Sequence, residues 1–224
     1  IVNELKKDLT EFGARMSTIL NTTFSKVKGF ESDVPFGEKY EFKHNYAFNV
    51  EEVKGLDIDI PNGKIEVYKT TEPVVIMDLT VKTTLMESEE KTKEQFLENF
   101  VKLYEGKLMV QTPSKFSQVQ LKLGLPEKVL DILFIRSLNS KVEMDSLRAK
   151  ILKVNLVNGS MNIRHAEFDH ADLKTKNGSI ETRFVQGEDL ETETVNGRIY
   201  IEGNLKEVEA ESVNGHIAIT MTSE

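Results

Sequence analysis

Residues 156–219 read LVNGSMNIRHAEFDHADLKTKNGSIETRFVQGEDLETETVNGRIYIEGNLKEVEAESVNGHIAI, and the fold turns on how this stretch is read. Four Asn-Gly pairs punctuate it: Asn158-Gly159, Asn177-Gly178, Asn196-Gly197 and Asn214-Gly215. Their separations are 19, 19 and 18 residues. A fixed period near twenty is the signature of a repeat architecture. Aligned on the Asn, the side chains fall into columns. Three residues after it stand Met161, Ile180, Ile199 and Ile217; five after it stand Ile163, Thr182, Ile201 and Ile219. Before it, apolar or small residues alternate with polar ones, as in Leu190-Glu191-Thr192-Glu193-Thr194. Alternation with period two marks a half-buried strand, so each unit reads as strand, corner, strand and return.

Two arrangements compete for this pattern. Asn-Gly between strands is the strongest short hairpin signal, which predicts a meander of separate hairpins. The columns favour a solenoid, because residues one period apart then stack and like sits on like. In a solenoid the Gly permits a tight corner and the Asn amides bond from coil to coil. The fold class expected is therefore mainly β, a solenoid-like stack of coils of about 19 residues. An N-terminal helix and one inserted helix complete the expectation.

Upstream, Leu56, Ile58, Ile60, Asn62, Gly63, Ile65 and Val67 repeat the template, and Asn139-Ser140 repeats it with Ser in place of Gly. Between them, residues 74–85, 107–112, 119–125 and 129–135 read as strands. Residues 89–104 read as an amphipathic helix with Phe96, Leu97, Phe100, Val101 and Leu103 on one side, ended by Gly106. Residues 1–30 carry Leu5, Leu9, Phe12, Met16 and Ile19 at helical spacing. That helix would cap the first coil, pair with another helix or lie on a membrane. Residues 31–44 read as a linker, and 45–224 as the β domain. The chain opens on Ile1 without an initiator Met, which suggests a fragment or a processed form.

Composition narrows the chemistry. There is no Cys among 224 residues, which excludes a thiol nucleophile, a disulfide framework and a zinc-thiolate site. No apolar run approaches the ~20 residues that span a bilayer. The net charge of −8 is concentrated from residue 166 onward, where thirteen Asp and Glu face five Lys and Arg. Such an acidic end argues against nucleic acid and suits a cationic partner; alternatively it only keeps a stacked surface soluble. Its candidate binding face is Asp172, Glu191, Glu193, Glu209 and Glu211. Like charges stacked one coil apart repel, with Lys174 as local relief.

Catalytic motifs are absent: no phosphate-binding loop, nucleophile elbow or His-Glu-x-x-His. His165, Glu167, Asp169, His170 and Asp172 form the one cluster with metal-ligand chemistry. It falls at a return bend, and the next repeats put Phe184 and Gly203 where His165 stands, so a solvated bend is the favoured reading. No cofactor, metal or catalytic residue is expected. A sugar-active β-helix would want paired acids among aromatics, and the repeats offer few aromatics and no Trp.

The quoted run, with the earlier LDIDIPNGKIEVYKT at residues 56–70, resembles the bacterial adhesin-type β-repeat domain of unknown function. A helical region before such a domain is similar to the LiaX/YvlB group of Gram-positive cell-envelope stress proteins. That resemblance implies a non-enzymatic regulator of a membrane-stress signalling system, whose helical region senses cationic peptides and lipopeptide antibiotics. It implies protein partners, namely an envelope stress regulator and the protein's own N-terminal helices. The implied place is the cell surface or the cytoplasmic face of the membrane. A structural adhesin or stalk is the alternative.

Overall fold

A computed structural model describes residues 38–222 of the chain, residue 115 excepted. The helix expected over residues 1–30 lies outside the described residues, as does the linker up to residue 37. Residues 39–44 are not linker. They belong to strand β1 (Lys39–Asn49), which pairs antiparallel along its whole length with β4 (Val74–Thr84). Tyr40, Phe42, Tyr46 and Phe48 alternate along β1, and Phe42 is buried in the core.

The Asn-Gly legs pair between coils and in parallel, which settles the choice between meander and stack. β9 (Arg148–Asn158) pairs with β11 (Glu167–Asn177), which pairs with the second half of β12 (Ile180–Asn196). That half pairs with the second half of β13 (Ile199–Asn214). Beyond each corner the short legs stack likewise: β10 (Met161–Arg164), the start of β12, the start of β13, and β14 (Ile217–Met221). Asn139, Asn158, Asn177, Asn196 and Asn214 stay in register throughout. The inward columns fill the coil, with Leu152, Val154, Leu156, Leu173, Ile180 and Leu190 buried. Two of the inward threonines have carbonyl partners, while the buried Thr182 hydroxyl has none among the described residues. Thr175 Oγ1 donates to the Gly159 carbonyl at 3.1 Å, and Thr194 Oγ1 to that of Gly178 at 3.0 Å.

Spatial order departs from chain order at the insertion. β2 (Gly55–Asp59) and β3 (Asn62–Lys69) form the first Asn-Gly coil, and β8 (Val129–Asp145) stacks on one side of it. On its other side lie β6 (Lys107–Gln111) and β7 (Gln118–Leu125), parallel and in register. The inserted segment thus supplies a coil of its own, placed outside the first. This end is then closed by antiparallel strands: β5 (Val101–Tyr104) on β6, β4 on β7, and β1 on β4.

The inserted helix, α1, spans Glu89–Phe100 rather than 89–104. Ser88 caps it, its side chain accepting from Lys91 N, and Thr92, Phe96 and Phe100 form its buried face. Phe96 meets Phe42 edge-on at 5.5 Å and Phe100 at 5.3 Å. Val101 is already extended, as suits a β-branched residue with a strand to pair with. Gly106 does not end the helix. With Glu105 it makes the β5–β6 hairpin turn, both at positive φ (49° and 80°).

Candidate interaction faces of the stacked coils

Each Asn-Gly corner has two jobs. The Asn amides form one ladder: Asn139 donates to Asn62 at 2.7 Å, Asn158 to Asn139 at 2.8 Å and Asn177 to Asn158 at 2.8 Å. Asn196 then donates to Asn177 at 2.7 Å and Asn214 to Asn196 at 2.9 Å. The ladder is directional, each Nδ2 pointing toward the N-terminal coil. The Gly is needed for space. A Cβ on Gly178 would lie 1.9 Å from the Gly159 carbonyl oxygen, and one on Gly197 1.9 Å from that of Gly178. The carbonyl of the preceding coil occupies the place where a side chain would start.

The opposite corner is also a stack. Ser146, His165 and Phe184 occupy it in successive coils, each with φ between 50° and 59°. His165 lies flat on Phe184 with ring centroids 5.3 Å apart and accepts or donates through Nδ1 to Asp145 at 3.0 Å. The His165–Asp172 segment is therefore divided between this corner and the next leg, whose His170 faces Asp189 at 3.5 Å. Among the described residues no three His, Cys, Asp or Glu side chains are grouped to hold a metal ion.

The outward face of the long legs carries two charged columns. One runs Asp57, Phe134, Lys153, Asp172, Glu191, Glu209; the other runs Asp59, Arg136, Asn155, Lys174, Glu193, Glu211. The five expected acids do share this face, and Lys174 divides them. Its Nζ lies 2.6 Å from Glu191, 2.7 Å from Glu193 and 3.3 Å from Asp172. Burial works against its charge, but the hydrogen bonds it donates to Glu191 and Glu193 outweigh burial and hold its pKa above the usual lysine value. Burial pushes Asp172 up, Lys174 offsetting part of that, and it pushes Glu193 up in the same way. Glu209 and Glu211 sit one coil beyond this cluster and make no ion pair among the described residues.

At the other end of the columns a second cluster is deeper. Asp59 is 2% exposed, and its carboxylate lies 3.5 Å from Arg136 Nε without a hydrogen bond. Arg136 donates instead to Asp57 at 2.7 Å, which also holds Lys107 at 2.7 Å. Burial, partly offset by Arg136, raises the Asp59 pKa to about 6.

Among the described residues, β13 beyond Asn204 and all of β14 have a neighbour on one side only. Ile217, Ile219 and Met221, which continue inward or edge positions, are 42%, 45% and 50% exposed, and Val208 and Ala210 are half-buried. Sequence reading missed this surface, because Ile217 and Ile219 look like any other column members. It also missed the coil made by β6 and β7, whose corner at residues 112–117 has no Asn-Gly to announce it.

Residues 62–224 match the model of the family described as Toastrack DUF4097. The chain belongs to this family. One curated relative of this toastrack chain is the uncharacterized protein YvlB of Bacillus subtilis, 24% identical over 139 residues. That alignment takes in 62% of the chain and 38% of YvlB, so the chain spans well under half of that relative. Among solved structures, a candidate cell adhesion protein from Clostridium sporogenes aligns over 82% of this chain and 100% of that one. Its identity is 10% and its TM-score 0.47. A candidate adhesin from Bacteroides fragilis aligns over 83% and 98%, at 14% identity and a TM-score of 0.42. Likeness at that level says nothing of activity. No helix among the described residues of this toastrack domain is long and apolar enough to cross a membrane, which says nothing of membrane-crossing strands.

Proposed function

We propose that this toastrack chain is a non-enzymatic scaffold of the bacterial cell envelope, of the adhesin or stalk kind, which presents its outer faces to protein partners. One observation carries the reading: along the long legs the charged side chains turn to one another from coil to coil. Lys174 gathers three acids, Arg148 holds Glu167 at 2.8 Å, and Lys150 holds Asp131 at 2.7 Å. Charge used in this way holds neighbouring coils together, which is a structural use. The candidate adhesins among its structural likenesses fit a surface location. The test is protease shaving of intact cells that express the full gene. Digestion of the domain without lysis is the expected result; protection until lysis would refute surface display.

A narrower reading is regulation of an envelope stress response, with antimicrobial peptides or lipopeptide antibiotics as the stimulus and a membrane regulator as the partner. Its support is the alignment with YvlB together with the resemblance to that group. Crosslinking in stressed cells, from a photoreactive residue at position 176 on the exposed flank of the acidic face, should recover an envelope protein. Recovery of the same set with and without stress would sink the regulatory reading and leave the scaffold reading standing.

A further inference from the structure

Asn followed by Gly is the pair in a polypeptide most prone to lose its own side-chain amide, because Gly puts no side chain in the way of its nitrogen. In that reaction the Gly nitrogen gives its proton to hydroxide and attacks the Asn Cγ. A C–N bond forms, the Cγ–Nδ2 bond breaks, and ammonia leaves with a proton taken from water. The succinimide ring so formed then takes up one water molecule. Opening at Cγ leaves Asp; opening at the main-chain carbonyl leaves isoaspartate, with one more carbon in the backbone. This chain carries five such pairs, beginning at Asn62, Asn158, Asn177, Asn196 and Asn214.

Asn158, Asn177 and Asn196 are exposed, so burial does not shield them. Their neighbours in the stack hold both reacting groups instead. The Gly159 amide donates to Asn177 O at 2.9 Å, that of Gly178 to Asn196 O at 3.0 Å and that of Gly197 to Asn214 O at 3.3 Å. The side chains are tied at both ends. Asn158 Nδ2 donates to Asn139 while its Oδ1 accepts from Asn177, and Asn177 and Asn196 repeat the arrangement in the following coils. The carbonyl of each Gly is fixed as well, by the hydroxyls of Thr175, Thr194 and Ser212 at 3.1, 3.0 and 3.2 Å. Bringing the Gly nitrogen onto Cγ needs main chain and side chain to turn together at the Asn. That motion breaks the amide bond to the next coil and the side-chain bonds on both sides.

We propose that Asn158, Asn177 and Asn196 are gated sites of covalent modification: the stack holds them unreactive, and the parting of two coils at a corner releases them. The reaction then makes the opening permanent. An Asp at position 177 still accepts from Asn196, but it has no hydrogen to give Asn158 and sets a charge against the Asn158 oxygen. An isoaspartate lengthens a corner whose flanking legs pair residue for residue with the coils on either side. A slip there turns inward residues outward. A coil that has opened and reacted cannot rejoin the ladder. This goes beyond the scaffold reading and rests on the corner geometry alone.

The test compares the native chain with the same chain in denaturing guanidinium chloride, both held at mildly alkaline pH. Trypsin places the three sites in separate peptides, residues 154–164, 177–183 and 184–198, in which fragment masses report the change of amide to acid. Loss of each amide should be at least about tenfold slower in the native chain, because reaction waits for local opening. Asn139→Ala removes the acceptor of Asn158 Nδ2 at an exposed position and leaves the Asn158-Gly159 pair as it is. It should quicken loss at Asn158 about fivefold and leave Asn196, two coils further on, slow. Native rates equal to those of the denatured chain at any of the three sites would overturn the proposal. So would an Asn158 rate that Asn139→Ala does not change. An equal rise at Asn196 would overturn it too, since the gate would then be unfolding of the whole chain and not the corner.

Discussion

The sharpest test of the stack is Gly178→Ala. At an ordinary glycine the added methyl stabilises by lowering the entropy of the unfolded chain, by about 0.4–1 kcal/mol. Here the new Cβ would start 1.9 Å from the Gly159 carbonyl oxygen, where real contacts are not shorter than 3.0 Å. The coils must part by about 1 Å at that corner, which close-packed interiors resist. Four bonds cross the same gap. Gly159 N to Asn177 O and Met161 N to Ser179 O are each 2.9 Å; Asn177 Nδ2 to Asn158 Oδ1 is 2.8 Å; Thr175 Oγ1 to Gly159 O is 3.1 Å. Stretched by that distance, most of them leave hydrogen-bonding range. At about 0.5–1.5 kcal/mol each, the expected loss is roughly 2–4 kcal/mol. Urea unfolding monitored by far-UV circular dichroism measures it. Gly215→Ala is the internal control. It meets the Gly197 oxygen at 1.7 Å, but among the described residues its coil is paired on one side only and has fewer bonds to lose, so its cost should be smaller. A Gly178→Ala variant within about 0.5 kcal/mol of the native chain would refute the steric account of these corners.

Lys174→Met should destabilise the chain by about 2–4 kcal/mol at pH 7, because Asp172, Glu191 and Glu193 lose their shared cation. The loss should shrink near pH 4 as those acids take up protons; equal losses in urea melts at both values would exclude the ionic role. Asp59 works in the opposite sense from a paired acid. The folded chain holds its proton more tightly than the unfolded one, so its contribution to stability is greatest at low pH. It is lost as pH rises from about 4 through about 6. D59N should therefore gain on the native chain between pH 4 and pH 8, by on the order of 2–3 kcal/mol. A pH-independent difference in thermal melts would show that Asp59 ionises freely in the fold. Phe96→Ala empties a fully buried ring site against Phe42 and Phe100 and should cost about 3–5 kcal/mol. Amide exchange should then quicken in β1 and α1 before the Asn-Gly coils; uniform loss of protection would mean that the closed end is not a separate cap.

Much of the fold was legible because the repeat writes the same contact several times. Met161, Ile180 and Ile199 sit in one column because they stack, and Asn158, Asn177 and Asn196 do so because their amides bond. The reason for the Gly was less legible. Asn-Gly suggested a turn with φ > 0, yet Gly178 and Gly197 are required by the carbonyl of the coil before. The start of β1 is not legible within residues 31–44, because its partner β4 lies far along the chain. The acidic face was visible as ladders of like charge, but not its division. Whether Glu193 is paired depends on where Lys174 reaches; Glu211 holds the same place in the repeat one coil on and makes no ion pair among the described residues.

By itself the sequence determined the period and the alternation of inward and outward residues, because in a repeat each position recurs one period away as a residue of its own kind. Only the tertiary structure decided the order of coils and the character of the ends. β6 and β7 lie outside the first Asn-Gly coil although they follow it in the chain, and nothing local dictates on which side of a coil a later segment stacks. The ends are where the repeat stops supplying its own partner: there β1, β5 and α1 close one edge by antiparallel pairing and aromatic packing. At the other edge, among the described residues, β14 pairs with β13 alone.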